Sequence, residues 1–222
     1  MIKNVIKLIS RLNFKTLYFN LKYLPLRQAL LLPILVSRRT YLRNTSGKIK
    51  INGPLRTGLI RIGYGNIGIF DEKRSRTIWE VAGTVIFNGT CNIGHGSKIS
   101  VASTGSLSFG ENFAITAETS IITKLNIEFG DNCLLSWDTL IMDSDFHKIK
   151  NEVGSEINAP QPISIGDDVW IGCRCLVLKG AKIPNNSIIG ASSLVNKPLG
   201  KENSLYAGSP CKLIKENVSW ER

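Results

Sequence analysis

The chain has 222 residues, 43% of them hydrophobic, with 20 glycines, which suits one domain with an appendage or two small domains. Its net charge of +11 comes from the N-terminal third, because residues 1–70 contain 13 Lys or Arg and no Asp or Glu. This part of the chain should therefore meet an acidic partner. No nucleic-acid-binding motif accompanies the charge, so we expect no nucleic-acid partner. The five cysteines lack the spacing of a zinc quartet and indicate reduced thiols in the cytosol.

Residues 1–45 predict a basic amphipathic helical arm. Apolar residues recur there at helical spacing: Ile2, Val5, Ile6, Ile9 and Leu12. Pro25 and Pro33 punctuate the leucine-rich continuation, in which no apolar run approaches the ~20 residues that span a bilayer. Such an arm suits the surface of an anionic membrane, but it would equally suit packing on the repeat domain or on a neighbouring subunit. No signal peptide is recognised, so we expect a cytoplasmic protein, peripheral at the inner face of the membrane if the arm binds lipid.

Residues 46–200 predict a column of repeats. Short apolar segments separated by glycines begin near Lys48, and later aliphatic residues recur every six positions: Ile165, Ile171, Val177, Ile183, Ile189 and Val195. A hexapeptide unit is too small to bury its aliphatic side chain alone, whereas stacked units bury one continuous core. The period therefore predicts an all-β fold, a parallel β-helix.

A polar segment interrupts the hexads. The separation between Phe129 and Ile165 is a whole number of hexads, so the two halves are in phase. The polar residues 148–162 between them predict a loop leaving the column. His147, at the edge of this loop, occupies a position that the repeat would give to an aliphatic residue, which indicates function or a loop start.

Five motifs of the C-terminal half carry a family resemblance. They are Phe129-Gly-Asp-Asn132, Asp143-Ser-Asp-Phe-His147, the run 165–172, the run 189–195 and Ala207-Gly-Ser-Pro-Cys-Lys212. Over roughly residues 115–215 the chain resembles the left-handed β-helix hexapeptide acyltransferases, in particular the galactoside, maltose and capsular-sugar O-acetyltransferase branch. The resemblance implies direct acetyl transfer from acetyl-CoA to a sugar hydroxyl, without a metal. It also implies a homotrimer with CoA held between neighbouring subunits.

The resemblance assigns His147 as the general base that deprotonates the acceptor hydroxyl, a task that imidazole suits near neutral pH. Asp145 and Asp143 precede it by two and four residues. In a straight strand all three would share a face, so either carboxylate could orient the ring. A turn would break that geometry.

The resemblance also places the cofactor. Cys173 and Ala191 are three hexads apart, one full coil of the family, so they should stack and offer backbone groups to the pantetheine arm. The N–H of Cys173 is the expected oxyanion donor. The remaining cofactor positions are Asn196, Lys197, Lys212 and Lys215. The tail, residues 201–222, is expected to close the CoA site.

The acceptor pocket is less defined in the sequence. Trp170 matches an aromatic residue bordering it, or caps the outside of a coil, while Thr116 and Glu118 stand near an asparagine position of the family. His95, between two glycines, is interpreted as a turn residue, the alternative being that it lines a substrate pocket.

We expect a sugar acceptor, lipid-linked or nucleotide-linked, from capsule, lipopolysaccharide or exopolysaccharide biosynthesis. Two alternatives stay open: N-acylation of an amino sugar, and a non-catalytic β-helix scaffold. A carbonic-anhydrase-like zinc site would need three histidines, and the chain has two.

Overall fold

Successive segments of the chain add strands to three sheets in turn, as a left-handed parallel β-helix requires, and this confirms the predicted fold class. The computed structural model describes residues 13–65, 67–71 and 73–221. Sheet A contains β1 (Ile34–Val36), β4 (Ile60–Ile62), β7 (Cys91–His95), β10 (Phe113–Ala117), β13 (Leu134–Leu135), β16 (Trp170–Ile171), β19 (Ser187–Ile189), β21 (Ser204–Ala207) and β22 (Lys212–Glu216).

The other two sheets complete the triangular column. Sheet B contains β2 (Tyr41–Asn44), β5 (Ile78–Val81), β8 (Lys98–Val101), β11 (Ser120–Thr123), β14 (Leu140–Met142), β17 (Leu176–Leu178) and β20 (Leu194–Val195). Sheet C contains β3 (Lys48–Ile51), β6 (Thr84–Phe87), β9 (Ser106–Phe109), β12 (Asn126–Phe129), β15 (Ile163–Ile165) and β18 (Lys182–Ile183).

The hexad aliphatics form the core of the column. Ile171 pairs with Ile189 and Val177 with Val195, so each coil of this part consists of three hexads. These side chains are at most 1% exposed. Burying each of them stabilises the fold by about 1.5–3 kcal/mol.

Coils nearer the N-terminus are longer than three hexads. Ile93 pairs with Ile115 and Ile115 with Leu135, and both separations exceed the three-hexad coil. Phenylalanines fill the extra space, since the rings of Phe87 and Phe109 lie 5.4 Å apart and those of Phe109 and Phe129 lie 5.7 Å apart. The two-residue shift of register before Phe129 is therefore a longer coil.

The predicted loop is present and begins earlier than its polar composition indicates. The chain leaves the column after β14 and returns at β15, so the loop comprises residues 143–162. Phe129 pairs directly with Ile165, and the whole segment between them is one coil that contains the loop.

Among the described residues, the column is preceded by helices α1 (Phe14–Tyr23) and α2 (Leu26–Ala29). The side chain of Asn13 caps α1 by accepting the N–H groups of Lys15 and Thr16. Asn20 hydrogen-bonds both the N–H and the carbonyl of Ile34, and the ring of Phe19 lies 5.2 Å from that of Trp79. Helix α1 thus covers the first coil, which pairs with no earlier coil in the described part of the chain.

The predicted boundary of the arm at residue 45 is wrong. Strands β1 and β2 lie inside the predicted arm and pair with β4 and β5, so the column begins at Ile34. Pro33 precedes the first strand instead of punctuating a helix. The apolar stripe of residues 2–12 lies outside the described residues. In the part of the chain that the structure describes, no helix combines the length and the apolar character needed to cross a bilayer.

The C-terminal tail continues sheet A. Strand β21 pairs with β19 in parallel, and β22 turns back along β21 in antiparallel fashion. The backbone of Leu194 bonds to Gly208 and Cys211, so the tail is tied to the last coil.

Candidate active site

His147 lies on the loop of residues 143–162, at the edge between sheets B and C, and its side chain is exposed. Its backbone N–H donates to the carbonyl of Asp145 at 2.7 Å. Its carbonyl accepts from the side chain of Asn158 at 2.8 Å. Both backbone groups of His147 are therefore fixed by hydrogen bonds, and its exposed imidazole is accessible to a bound molecule.

Asp145 anchors the start of this loop to the column. Its carboxylate accepts hydrogen bonds from Lys179 at 2.5 Å and from the side chain of Asn158 at 2.8 Å. The bond from Lys179 and then that from Asn158 lower the pKa of Asp145, so it stays ionised. Lys179 also donates to the carbonyl of Asn158 at 2.8 Å. These three side chains tie the loop to the column beside His147.

The expectation that Asp143 could orient the histidine is wrong. Asp143 is fully buried, and its carboxylate accepts the backbone N–H groups of residues 124, 125 and 126, each at 2.8 Å. A turn between Asp143 and His147 breaks the shared strand face, with Phe146 at a φ of 60°. Asp143 stabilises the neighbouring turn.

Cys173 and Ala191 stack at the edge between sheets A and B. The N–H of Ser192 donates to the carbonyl of Cys173 at 2.8 Å, which joins the two coils at this point. A methyl group on Gly172 would lie 2.7 Å from the nitrogen of Ala191, so glycine allows this close approach. Among the described residues, the N–H groups of Cys173 and Ala191 donate to no protein acceptor. They are therefore available to a bound ligand.

The thiols near this edge differ in accessibility. Burial raises the pKa of Cys175 to about 11, and that of Cys133, which lies at the edge between sheets C and A, to about 12. Cys175 is fully buried and fills the small-residue position of its hexad, whereas Cys173 is partly exposed. Cys173 is thus the thiol that a reagent can reach at this edge.

The remaining cofactor positions do not all lie at the same edge. Asn196 and Lys197 follow β20 and are exposed at the edge between sheets B and C, the edge that carries the loop. Lys212 and Lys215 are exposed on β22, at the end of sheet A. In a single chain these residues are divided between different corners of the column.

Trp170 lies on the outer face of sheet A and is 36% exposed. Its indole N–H donates to the hydroxyl of Ser136 at 3.1 Å, and its ring lies 6.1 Å from that of Trp220. Trp220 donates in turn to the carbonyl of Asp168 at 2.7 Å. The two indoles thus cover the outside of the coil, so the structure gives Trp170 the capping contact that the sequence allowed.

Thr116 and Glu118 lie at the edge between sheets A and B, above Cys173. The carboxylate of Glu118 pairs with Lys98 at 3.0 Å, and its backbone has a φ of 48°. The hydroxyl of Thr116 is buried and has no hydrogen-bond partner among the described residues. The coils that carry β10 and β16 are separated by the coil of β13.

His95 is not a turn residue, and that interpretation is wrong. It ends strand β7, pairs with Ala117 and is 6% exposed. The coil of β7 is longer than three hexads, so this strand continues past the position at which a three-hexad coil would turn.

Comparison with known proteins decides the family. Residues 162–197 match the family described as bacterial transferase hexapeptide (six repeats). The galactoside O-acetyltransferase of Escherichia coli K12 is 31% identical over 150 residues, which cover 65% of this chain and 69% of that protein. The chain belongs to the hexapeptide-repeat acyltransferase family. In this acyltransferase the residues described above are the candidates for substrate and cofactor binding.

One further relative and one solved structure, the latter informative for the fold alone, are also similar to this chain. The putative lipopolysaccharide biosynthesis O-acetyl transferase WbbJ of E. coli K12 is 27% identical over 63% of this acyltransferase and 78% of its own length. The crystal structure of the polySia-specific acetyltransferase NeuO has the same fold, with a TM-score of 0.60 at 24% identity over 85% of this chain and 79% of that chain.

Sequence reasoning missed several residues of this candidate site. Lys179 and Asn158 fix the loop beside His147, and Ser136 and Trp220 position Trp170. The polar character of Asn158 within the loop was a weak signal. Lys179 carries no signal in the sequence, because a lysine just after a hexad aliphatic is ordinarily a solvated charge.

Proposed function

We propose that this protein transfers an acetyl group from acetyl-CoA to a hydroxyl of a surface-polysaccharide sugar, with His147 as general base. The observation that carries the proposal is a loop histidine with both backbone groups fixed, its loop tied to the column through Asp145, Asn158 and Lys179. The relatives named above, both O-acetyltransferases by name, support oxygen as the acceptor atom.

The proposed reaction is a single direct transfer. The imidazole of His147 takes the proton of the sugar hydroxyl while that oxygen forms a bond to the thioester carbonyl carbon. The N–H of Cys173, which has no protein acceptor among the described residues, stabilises the negative charge that develops on the carbonyl oxygen. The carbon–sulfur bond then breaks, and CoA leaves with the proton returned from the imidazolium. Ala191, Asn196, Lys197, Lys212 and Lys215 are proposed to hold CoA.

This site is proposed to form between neighbouring copies in a homotrimer. Cys173 and Ala191 lie at one edge of sheet B, and the loop with His147 and Asn196 lies at the other edge. Sheet B presents apolar side chains outward: Ile122, Leu140, Met142, Leu176, Leu178 and Leu194. If three copies turn this face inward, the A–B edge of one copy meets the B–C edge of the next.

Peripheral membrane contact is proposed for the outer face of α1 and α2. The face exposes Phe14, which is 80% exposed, together with Leu17, Leu21, Leu26 and Leu30. Exposed Lys22 and Arg27 accompany these side chains. Apolar and basic side chains on one exposed face suit the surface of an anionic bilayer, and a lipid-linked glycan would be presented there.

The decisive assay measures thiol release from acetyl-CoA with free, nucleotide-linked and lipid-linked sugars. We expect release with a sugar acceptor, and a lowering of turnover by about two to four orders of magnitude in His147→Ala, the usual contribution of a general base. Binding of acetyl-CoA should persist in this variant, because His147 acts on the acceptor.

Product analysis distinguishes O-acetylation from the N-acyl alternative, since only an ester is cleaved by mild base. Near-normal turnover of His147→Ala with the best acceptor would show that another group is the base. If no sugar promotes thiol release although acetyl-CoA binds, the acceptor class is wrong. Failure to bind acetyl-CoA would favour the scaffold alternative.

A further inference from the structure

A cleft at the N-terminal end of the A–B edge is not used by the reaction proposed above. It has a volume of about 290 Å³ and lies between the turn after β1 and the residues that follow β4 (63–65) and precede β5 (75 and 77). Its lining includes Ser37, Arg38, Arg39, Thr77 and His95.

The floor of the cleft contains buried polar groups without protein partners. Within the described residues, the two ring nitrogens of His95 and the hydroxyl of Thr77 have no hydrogen-bond partner. The hydroxyl of Thr40 is likewise buried and unpartnered, and it lies close to the cleft glycine Gly63, where an added Cβ would be 2.7 Å away. Buried polar groups ordinarily have hydrogen-bond partners, so this cluster of unpartnered groups indicates a binding site for a polar ligand.

The rim of the cleft is cationic. Arg38 and Arg39 line it and are exposed. Lys15 donates to the carbonyls of Arg38 and Thr40 at 2.7 and 2.6 Å, which places its ammonium group beside them. Partial burial and then the nearby Arg76 lower the pKa of Lys15, as expected where positive charges are crowded.

The neighbouring carboxylates of the described chain have their own cations. Glu118 lies beside Gly96 and pairs with Lys98 at 3.0 Å. Asp71 pairs with Arg74 at 3.9 Å. The charge of Arg38 and of Lys15 is therefore not balanced by these two groups.

We propose that this cleft binds the carboxylate or phosphate of an extended acidic acceptor. Arginines at the rim suit either anion through paired N–H donors, and imidazole and hydroxyl groups at the floor can donate further hydrogen bonds. This anion site extends the proposed function. It depends on that function only where the ligand is identified as the acceptor of the acetyl group. Strands β7 and β16 are three strand positions apart in sheet A. The His95 end of the cleft is thus about 14 Å along the edge from Cys173, and the turn after β1, five strand positions from β16, is about 24 Å away. An extended oligosaccharide can bridge these distances.

Binding can be tested without the reaction, because the chain has two histidines. In the full-length protein, long-range nitrogen NMR resolves their ring nitrogens, and His147→Ala identifies the signals of His95. Inorganic phosphate and D-glucuronate are titrated separately at constant ionic strength, with D-glucose as the neutral control. We expect saturable shifts of the His95 signals with at least one anion and none with glucose. The anion that binds identifies the source, phosphate or acidic sugar.

Two double variants separate a built site from general electrostatics. Arg38→Gln with Arg39→Gln should weaken anion binding about tenfold or more, the usual effect of losing charge-assisted hydrogen bonds. Lys48→Gln with Lys50→Gln removes the same charge from the exposed side of β3 and should leave the dissociation constant within about twofold. Both pairs are exposed, so folding is preserved, and far-ultraviolet circular dichroism verifies it.

Absence of saturable shifts with both anions, or equal weakening by the two double variants, would overturn the proposal. Anion binding without acetyl transfer to any sugar would refute the proposed function and leave the anion site standing. If both hold, Arg38→Gln with Arg39→Gln should raise KM for the acidic acceptor and leave KM for acetyl-CoA unchanged.

Discussion

At the scale of single residues, Cys173 offers a direct probe of the proposed cofactor site. It is partly exposed, whereas burial raises the pKa of Cys91, Cys133, Cys175 and Cys211. We therefore expect iodoacetamide at about pH 8 to alkylate Cys173 first in the native protein. Saturating acetyl-CoA should slow this alkylation about tenfold or more, because the bound pantetheine arm would cover the residue. Peptide mass spectrometry locates the label.

Cys173→Ser is the control for this measurement, since it should abolish the fast-reacting fraction. An unchanged rate of Cys173 alkylation at saturating acetyl-CoA would contradict the assignment of this edge to the cofactor. Fast labelling of the other four cysteines would instead show that the column opens.

Lys179 permits a second prediction at this scale. Its hydrogen bond is the largest cause of the lowered pKa of Asp145. Lys179→Met should therefore raise that pKa towards 3.8, the ordinary value of the group, as followed by carbon NMR of the carboxyl. The stabilisation that Asp145 gains from Lys179 is fully present at pH values above 3.8, the ordinary pKa of the carboxyl group. It is lost as the pH falls through the lower pKa that Asp145 has in the folded protein.

The same substitution should loosen the loop beside His147. We expect Lys179→Met to lower kcat about tenfold while KM for acetyl-CoA changes little, because His147 is displaced whereas Cys173 and Ala191, at the edge between sheets A and B, are not. Lys182→Met, at an exposed lysine of β18, is the matched control. Wild-type kcat in Lys179→Met would mean that the tie at Asp145 does not position the base.

At the scale of elements, helix α1 has two faces with different roles. Its inner face, with Thr16, Phe19 and Asn20, covers the first coil, and its outer face exposes Phe14, Leu17 and Leu21. Deleting residues 1–45 would remove β1 and β2 as well. Such a deletion should unfold the end of the column, and it cannot test membrane binding alone.

Substitution of the outer face is the appropriate test of membrane contact. Phe14→Ser, Leu17→Ser and Leu21→Ser together should reduce flotation with anionic vesicles about tenfold or more, because the lost apolar burial contributes more than about 1.4 kcal/mol. Thermal stability should hardly change, since these side chains are exposed in the folded chain. Rising salt should weaken binding of the wild type.

The control for flotation is an equally charged variant outside this face, such as Ser164→Ala on the outer side of sheet C. A wild-type protein that stays in the soluble fraction with anionic vesicles at low salt would disprove membrane contact. The outer face of α1 would then be a surface for protein.

At the scale of the whole molecule, the outer faces of sheets B and C predict which sheet lies in the interface of the proposed trimer. Leu176 on sheet B is 42% exposed among other apolar residues, whereas sheet C presents Ser106, Glu128, Ser164 and Lys182 outward. Leu176→Asp should shift the proposed trimer towards monomer in analytical ultracentrifugation and lower activity in proportion. Ser164→Asp, the matched change on sheet C, should do neither.

A mixed oligomer tests whether two copies share one site. His147→Ala and Cys173→Trp should each be inactive alone, and their co-expression should restore part of the activity, because some sites would combine an intact His147 with an intact Cys173. No restoration in purified mixed oligomers, or a fully active monomer of Leu176→Asp, would contradict the shared site.

The local pattern of the sequence determined the fold of this protein. A hexad aliphatic such as Ile171 or Val177 is buried wherever its coil stacks, so the period alone specifies an all-β column and its core. The motifs around His147 and Cys173 also indicated the family, because each motif is a continuous stretch of the sequence. The register from Phe129 to Ile165 likewise revealed the loop.

Tertiary structure decided what depends on contacts between distant coils. Only the pairing of β1 with β4 moved the start of the column to Ile34, because a three-residue apolar strand looks like part of a leucine-rich helix. Only the fold separated Asp143, buried against the turn of residues 124–126, from Asp145, held by Lys179. The burial of His95 follows from a coil longer than three hexads, whose extra length has no period to reveal it. A corner of the column is a property of stacked coils, so the edge that each site residue occupies is fixed by the structure and not by any local pattern.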